Sequence, residues 1–354
     1  MMTMYRNTFC YINLKHIRNN VKKIISNIDD YKYYIGVVKA DSYGHYDNKV
    51  VKAIIEGGCN YLAVATLDEA LEIRKEIKDI GILCLGIIPT NYLHFCEENN
   101  IDVTISNYNY LNSIKDKKLK VHLKINTGMN RLGMNNSTDI NKCISTIKES
   151  NLTLQGIYTH MYKPDDEKIT IKQEQLFEEL TKDIDLSTIP MVHLGASEYS
   201  LNYPKKDYAN TTRLGIIMYN LVPNNLDLED TFKVESRVIE IHDLEDETVG
   251  YNGNYKVNGK ERIAVVPIGY ADGIIRKNTG RDVFINDKRY QIVGNICMDM
   301  LFVKVDDSVK IHDRVEIIKD SNHINEIANY LETIPYEVIC NISKRVPRVY
   351  EEDD

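Results

Sequence analysis

Tryptophan is absent from this chain of 354 residues, and no apolar run is long enough to cross a bilayer. The longest such stretch, Ile80 to Ile88, contains two glycines. Met1 to Asn20 lacks the apolar core of a secretory signal. These absences argue against a membrane-embedded protein and lead us to expect a cytoplasmic one. Basic runs are missing too, and the net charge is −8, so neither nucleic acid nor an anionic membrane surface is an expected partner. The seven cysteines include no C-x-x-C pair, and their odd number suits neither a disulfide framework nor a zinc site. A reducing compartment is the simpler setting for them. No internal repeat or low-complexity tract occurs. The lack of tryptophan beside abundant Asn, Lys, Ile and Tyr is compositional bias and carries no function.

The chain is otherwise of ordinary globular composition, 43% hydrophobic and 27% charged, with room for two domains. Its first two-thirds alternate. Helical spacing over Asn13 to Ile28 precedes a short apolar run, Ile35 to Val38. Further β-branched runs follow at Tyr61–Thr66, Gly81–Ile88, Ile101–Ser106, Lys120–Asn126, Leu154–His160, Met191–Ser197 and Arg213–Asn220. Helical stretches such as Asn48–Glu56, Asp68–Ile77 and Glu167–Asp183 lie between them. Eight strand–helix units in this length predict an α/β fold, a (β/α)8 TIM barrel, over residues 1–225; the first ten or so residues are candidates to join the second domain. A doubly wound open sheet is the alternative. After Leu221-Val222-Pro223-Asn224-Asn225 the pattern changes to longer strands separated by Gly and Asn turns. The strands expected there are Val234–Leu244, Arg262–Ile268, Val283–Ile285, Tyr290–Val293, Leu301–Val305 and Arg314–Ile318, with one helix at Ile324–Leu331. Residues 226–354 therefore read as a mainly β C-terminal domain.

Barrel enzymes place reacting groups where strands end. The strand exits here carry Lys39, Lys124 (with Arg131 downstream), His160, Ser197 and Arg213. Lys39 follows the apolar run directly. Two readings compete: a lysine snorkelling to water, or one whose burial lowers its pKa and frees the amine for Schiff-base chemistry. Small-residue turns at Gly195-Ala196-Ser197 and at Arg213-Leu214-Gly215-Ile216 suit a phosphate held by backbone amides and a hydroxyl. Arg131, between Gly128 and Gly133, is either a bidentate anion ligand or half of a loop ion pair. Tyr270, in Gly269-Tyr270-Ala271-Asp272-Gly273, is either a packed turn residue or an acid/base. Cys297-Met298-Asp299-Met300 reads equally as core sulfur side chains. His45 and His160 each have a structural reading.

Taken together these segments resemble the alanine racemase family of pyridoxal phosphate (PLP) enzymes. The matching stretches are VVKADSYGH (37–45), HLKINTGMNRLGM (122–134), GIYTHM (156–161), TRLGIIMYN (212–220), VPIGYADG (266–273), VGNICMDM (293–300) and YEVICNISKRVPRVY (336–350). They keep the family's order over nearly the whole chain. The resemblance implies a cytoplasmic PLP-dependent isomerase that interconverts L- and D-alanine, a peptidoglycan precursor. Lys39 would be the Schiff-base lysine and one acid/base at Cα, serving the D-enantiomer, and Tyr270 the other, serving the L-enantiomer. It also implies Arg131 and Met298 for the substrate carboxylate, and Tyr43, Ser197, Gly215 and Ile216 for the phosphate. Arg213 would face the pyridine nitrogen with His160 supporting it, and Lys124 matches a lysine often carbamylated in the family. A head-to-tail homodimer with composite active sites is implied as well, Tyr270 and Met298 coming from the second chain. Lys344 departs from the family pattern, where many racemases place a tyrosine near the phosphate and substrate entry. Serine or another small amino acid is therefore the alternative substrate. A non-catalytic PLP-binding protein, or a PLP decarboxylase or aldolase, is the alternative of a different class.

Overall fold

The computed structural model describes residues 5–352. Strand β1 (Phe9–Asn13) ends on Asn13, whose side chain accepts from the His16 amide at 2.9 Å and so starts the helix Leu14–Ser26. Leu14, Ile17, Val21 and Ile24 recur at helical spacing on its buried face. Eight parallel strands then close a barrel: β2 (Tyr33–Val37), β3 (Tyr61–Val64), β4 (Gly81–Cys84), β5 (Ile101–Ile105), β6 (Lys120–Lys124), β7 (Thr153–Tyr158), β8 (Met191–Ala196) and β9 (Thr211–Leu214). The ring is completed where β9 pairs with β2, Thr211 opposite Tyr33. The expected TIM barrel is thus present, and the open sheet is excluded by the closure.

Several boundaries differ: runs expected to reach Thr66, Ile88, Asn126 and His160 are strand only to Val64, Cys84, Lys124 and Tyr158. The run expected as a strand over Arg213–Asn220 is strand only to Leu214, and Ile216–Tyr219 turns as a 3-10 helix. All four of those residues are buried, so their hydrophobicity reports burial without distinguishing a strand from a buried turn.

Alternation along the strands decides what fills the barrel. On β5, Ile101, Val103 and Ile105 belong to the hydrophobic core, whereas Asp102 and Thr104 meet polar partners from other strands. His122 of β6, Tyr158 of β7 and His193 of β8 are those partners or their neighbours, and all are buried. The interior is therefore a stack of hydrogen-bonded polar side chains, where TIM barrels usually place layers of Val, Ile and Leu.

The second sheet comprises β10 (Phe232–Arg237), β11 (Glu240–Glu245), β14 (Lys260–Val266), β15 (Asp282–Ile285), β16 (Lys288–Val293), β17 (Leu301–Val305), β18 (Arg314–Ile318) and β19 (Arg348–Glu351), together with β1. Two short strands, β12 (Thr248–Val249) and β13 (Tyr255–Lys256), form a separate ribbon. β1 lies between β10 and β19, Cys10 opposite both Val234 and Arg348, so this early strand is stitched into the sheet built from the far end of the chain. The strand expected over Val234–Leu244 is two. At the break the Val238 amide donates to Asp313 O and the Ile239 amide to Val265 O, which hands the chain from one neighbour to another. The expected helix runs Ser321–Leu331, capped by Asp320, and a second one, Pro335–Cys340, follows it. That second helix opens on proline at its first turn, a position where the missing N–H costs nothing. One continuous hydrophobic cluster joins barrel and sheet. Among the described residues no helix is long and apolar enough to cross a membrane.

Candidate active site

A cavity of about 460 Å³ opens at the C-terminal ends of the barrel strands. Lys39, Tyr43, Lys124, Arg131, His160, Ser197, Arg213, Gly215 and Ile216 all line it. Only one acidic side chain, Glu198, is among its walls. Four basic side chains, Lys39, Lys124, Arg131 and Arg213, at one mouth favour an anionic ligand.

Lys39 leaves β2 through an unusual backbone. Ala40, Asp41, Ser42 and Tyr43 all have φ between 52° and 57°, a left-handed turn that costs a non-glycine residue roughly 1–2 kcal/mol each time. Packing holds the turn in place. Glu69 Oε1 accepts from the Ala40 amide at 2.6 Å, Arg348 Nη2 donates to Gly44 O at 3.0 Å, and the Tyr350 hydroxyl donates to His45 O at 3.0 Å. His45 stacks on Tyr219 at 4.0 Å, which makes it a structural histidine. The result sets Lys39 and Tyr43 on the same cavity. Burial first, then the Arg131 charge, lowers the Lys39 pKa, with Glu69 acting against the shift.

Lys124, at the end of β6, is buried with its ammonium 4.3 Å from the Tyr158 ring centroid. Burial, then Arg213 and Arg131, push its pKa well down. His160 is held to about 2 by burial and by Arg213, Lys124, Arg131 and Lys39, so its ring is neutral. Arg213 is fully buried with no carboxylate beside it. Its Nη1 donates to His193 Nδ1 at 2.6 Å, and its Nη2 donates to Thr159 O at 2.8 Å and Leu194 O at 3.1 Å. Burial lowers its pKa to about 10, which leaves it charged at neutral pH.

At the exits of β8 and β9, Ser197 Oγ accepts from the Gly215 amide at 3.1 Å. A Cβ at position 215 would come within 2.9 Å of the Tyr43 hydroxyl, so glycine opens this corner between the two hydroxyls. Tyr336, which the sequence reading did not single out, lines the same corner, edge-on to Tyr43 at 5.9 Å. Tyr158, His193 and Glu69 were also missed as supports. Tyr158 stands two places after Gly156, and its alternation on β7 is the signal that would have found it.

Tyr270 and Met298 do not reach this cavity within one chain. They stand together on the second domain, 42% and 52% exposed, where the Tyr270 amide donates to Cys297 O at 3.0 Å and the Ala271 amide to Met298 O at 3.0 Å. Buried Asp272 fixes the turn, accepting from Arg6 at 2.5 and 2.7 Å and from the Gly269 amide at 2.9 Å. Lys344 also lies outside the cavity. Its ammonium pairs with Asp41 at 3.5 Å on a 75% exposed side chain. All seven cysteines are free, and no metal-holding cluster occurs among the described residues.

A barrel mouth with a pKa-lowered lysine, an anion corner of hydroxyls and backbone amide, and a buried arginine on its wall defines a class of enzyme that holds a phosphorylated ligand against an amine. Residues 12–223 match the family model described as "Alanine racemase, N-terminal domain", and residues 231–350 match "Alanine racemase, C-terminal domain". The chain belongs to the alanine racemase family. It is 34% identical over 369 residues to alanine racemase 1 of Bacillus subtilis (strain 168), covering 99% of this chain and 94% of that one. With the alanine racemase of Clostridium kluyveri it shares 37% over 377 residues, 99% of this chain and 95% of the relative. The crystal structure of alanine racemase from E. faecalis superposes with a TM-score of 0.93 at 31% identity, covering 99% of this chain and all of that one.

Proposed function

We propose that the protein interconverts L- and D-alanine with PLP held on Lys39. The observation that carries this is the convergence of Lys39, Arg131, Arg213 and the Tyr43–Ser197–Gly215 corner on one cavity, in a chain of this family. The residues fit the cofactor: its phosphate suits the corner that a Cβ at 215 would fill, and its aldehyde needs the amine that burial keeps available at Lys39. When bound, PLP makes the substrate's Cα proton acidic enough to remove. The rest falls to side chains. Arg131 holds the substrate carboxylate, with Met298 beside it. Lys39 removes or returns the Cα proton on one face and Tyr270 on the other. Arg213 would hold the cofactor's ring nitrogen, and its charge would oppose a proton there, since two cations would adjoin. His160 supports Arg213, its Nδ1 accepting from Nη2 at 3.4 Å. Lys124, a buried amine whose pKa is pushed well down by burial and by Arg213 and Arg131, is the site at which carbamylation would supply a negative charge.

The second acid/base comes from a second copy. Tyr270, Ile275, Met298 and Met300 are all more than 40% exposed on the second domain, an apolar surface suited to burial over another chain's barrel mouth. We read residues 1–225 as the cofactor-binding part and 226–354 as the part that completes the partner's site, in a head-to-tail homodimer. Lys344 pairs with Asp41 and does not line the cavity, so its presence does not favour serine. The test is to incubate L-alanine and L-serine separately in deuterated water and follow each D-enantiomer by chiral chromatography. D-alanine forming faster supports the reading; faster D-serine, or no D-enantiomer at all, overturns it.

A further inference from the structure

Beneath Arg213 a single file of buried side chains runs down the barrel. Arg213 Nη1 lies 2.6 Å from His193 Nδ1, and His193 Nε2 lies 3.3 Å from His122 Nδ1. His122 Nε2 lies 3.0 Å from Asp102 Oδ2, which also accepts from the Tyr61 hydroxyl at 2.5 Å. Both histidines are wholly buried and Asp102 is 1% exposed. The file has its own accommodation: a Cβ at Gly156 would meet His122 Nδ1 at 2.2 Å, so glycine leaves room for the ring. Tyr158 stacks parallel on His193 at 4.6 Å and fixes that ring's plane.

Chemistry at the two ends dictates every proton between them. A guanidinium only donates and a carboxylate only accepts, whereas a neutral imidazole does one at each nitrogen. His193 Nδ1 must accept from Arg213, so its proton sits on Nε2 and is given to His122 Nδ1. The His122 proton then sits on Nε2 and is given to Asp102. A doubly protonated His122 is excluded, because its Nδ1–H would force His193 to carry its own proton on Nδ1, against the Arg213 donor. Removing Asp102 would leave His122 Nε2–H without an acceptor, a loss relieved only by moving its proton to Nδ1. That shift propagates: His193 must then move its proton to Nδ1, and Arg213 is pushed off.

We infer that Asp102 is a positioning residue for Arg213, setting through His122 and His193 the direction of the hydrogen bonds that seat the guanidinium. Arg213 Nε–H has no partner among the described residues, so the seat decides where that donor points. The inference rests on the reading above that Arg213 faces the cofactor's ring nitrogen. An arginine pushed off leaves that nitrogen open to a proton, and some turnovers would end in transamination. In that side reaction alanine is oxidised to pyruvate, water supplies the keto oxygen, and the cofactor's aldehyde is reduced to an amine carrying alanine's nitrogen.

Two measurements test this. Neutron crystallography of the perdeuterated wild-type holoenzyme should place deuterium on Nε2 of both His122 and His193 and none on Nδ1; deuterium on either Nδ1 overturns the inference. Pyruvate released per D-alanine formed should rise about tenfold in Asp102→Leu, the scale of one lost buried hydrogen bond. It should stay near wild type in Asp102→Asn, whose amide oxygen still accepts. Equal ratios in wild type and Asp102→Leu, or an equal rise in both variants, also overturn it. Should Asp102→Leu fail to fold, the wild-type neutron map decides alone. A wild-type protein that binds no PLP would instead overturn the cofactor reading, while the map still tests the chain of bonds.

Discussion

Mixing two inactive variants tests the composite site most directly. Lys39→Ala removes the amine from the cavity, and Tyr270→Phe removes a hydroxyl that, within one chain, stands exposed outside it. Each homodimer should lose about 10²–10⁴-fold in racemisation, the usual loss for one general acid/base. In a mixed dimer with shared sites, one site carries both substitutions and is dead. The other combines Lys39 of the Tyr270→Phe chain with Tyr270 of the Lys39→Ala chain, and is wild type. Random reassortment makes about half of all dimers mixed, each with one intact site of two, so activity should return to about a quarter of wild type. The assay is to unfold and refold the variants together at equal concentration and follow D-alanine formation against the same treatment of each variant alone. A mixture no more active than the separate variants would refute the composite site and return Tyr270 to the role of a packed turn residue.

Tyr270→Phe should also split exchange from racemisation. Deuterium wash-in to D-alanine with retention should persist through Lys39, while wash-in from L-alanine collapses; equal losses would indicate one base serving both faces. Lys124→Met should stabilise the cofactor-free protein by about 1–4 kcal/mol at neutral pH, because it replaces a buried amine that has no carboxylate partner and must give up its proton on folding. The sign follows from proton uptake: with the folded pKa depressed, the unfolded chain binds the extra proton. Wild-type stability therefore rises with pH up to the unfolded value of about 10.5, and the advantage of Lys124→Met should shrink over that window in urea titrations. Arg348→Met deletes donors to Gly44, Ile342, Ser343 and Val346 carbonyls. It should loosen the left-handed turn and lower the fraction of Lys39 that borohydride fixes to PLP; unchanged labelling would show that the turn is held without it.

What the sequence determined by itself was local or periodic. Alternating apolar runs marked the barrel strands because both faces of a parallel strand are buried, and glycine and asparagine turns marked the second domain. Lys39, Ser197 and Arg213 were candidates because barrels place reacting groups at strand exits, and Arg131 because it stands between two glycines; all four line the one cavity. Only tertiary structure decided the rest. The left-handed turn after Lys39 exists because Glu69, Arg348 and Tyr350, distant in the chain, hold it, and no local preference of Ala40 or Tyr43 announces it. β1 joins the second sheet because pairing with β10 and β19 satisfies both its edges, a contact across more than 200 residues. The break within Val234–Leu244 depends on which strands lie alongside, and the helix Pro335–Cys340 on the packing of its Val338 and Ile339. Asp102, His122 and His193 stand singly in apolar runs and read as isolated polar residues, since alternation says only that they share a face. Closing the barrel brings those faces together, and the file of bonds beneath Arg213 exists only after closure.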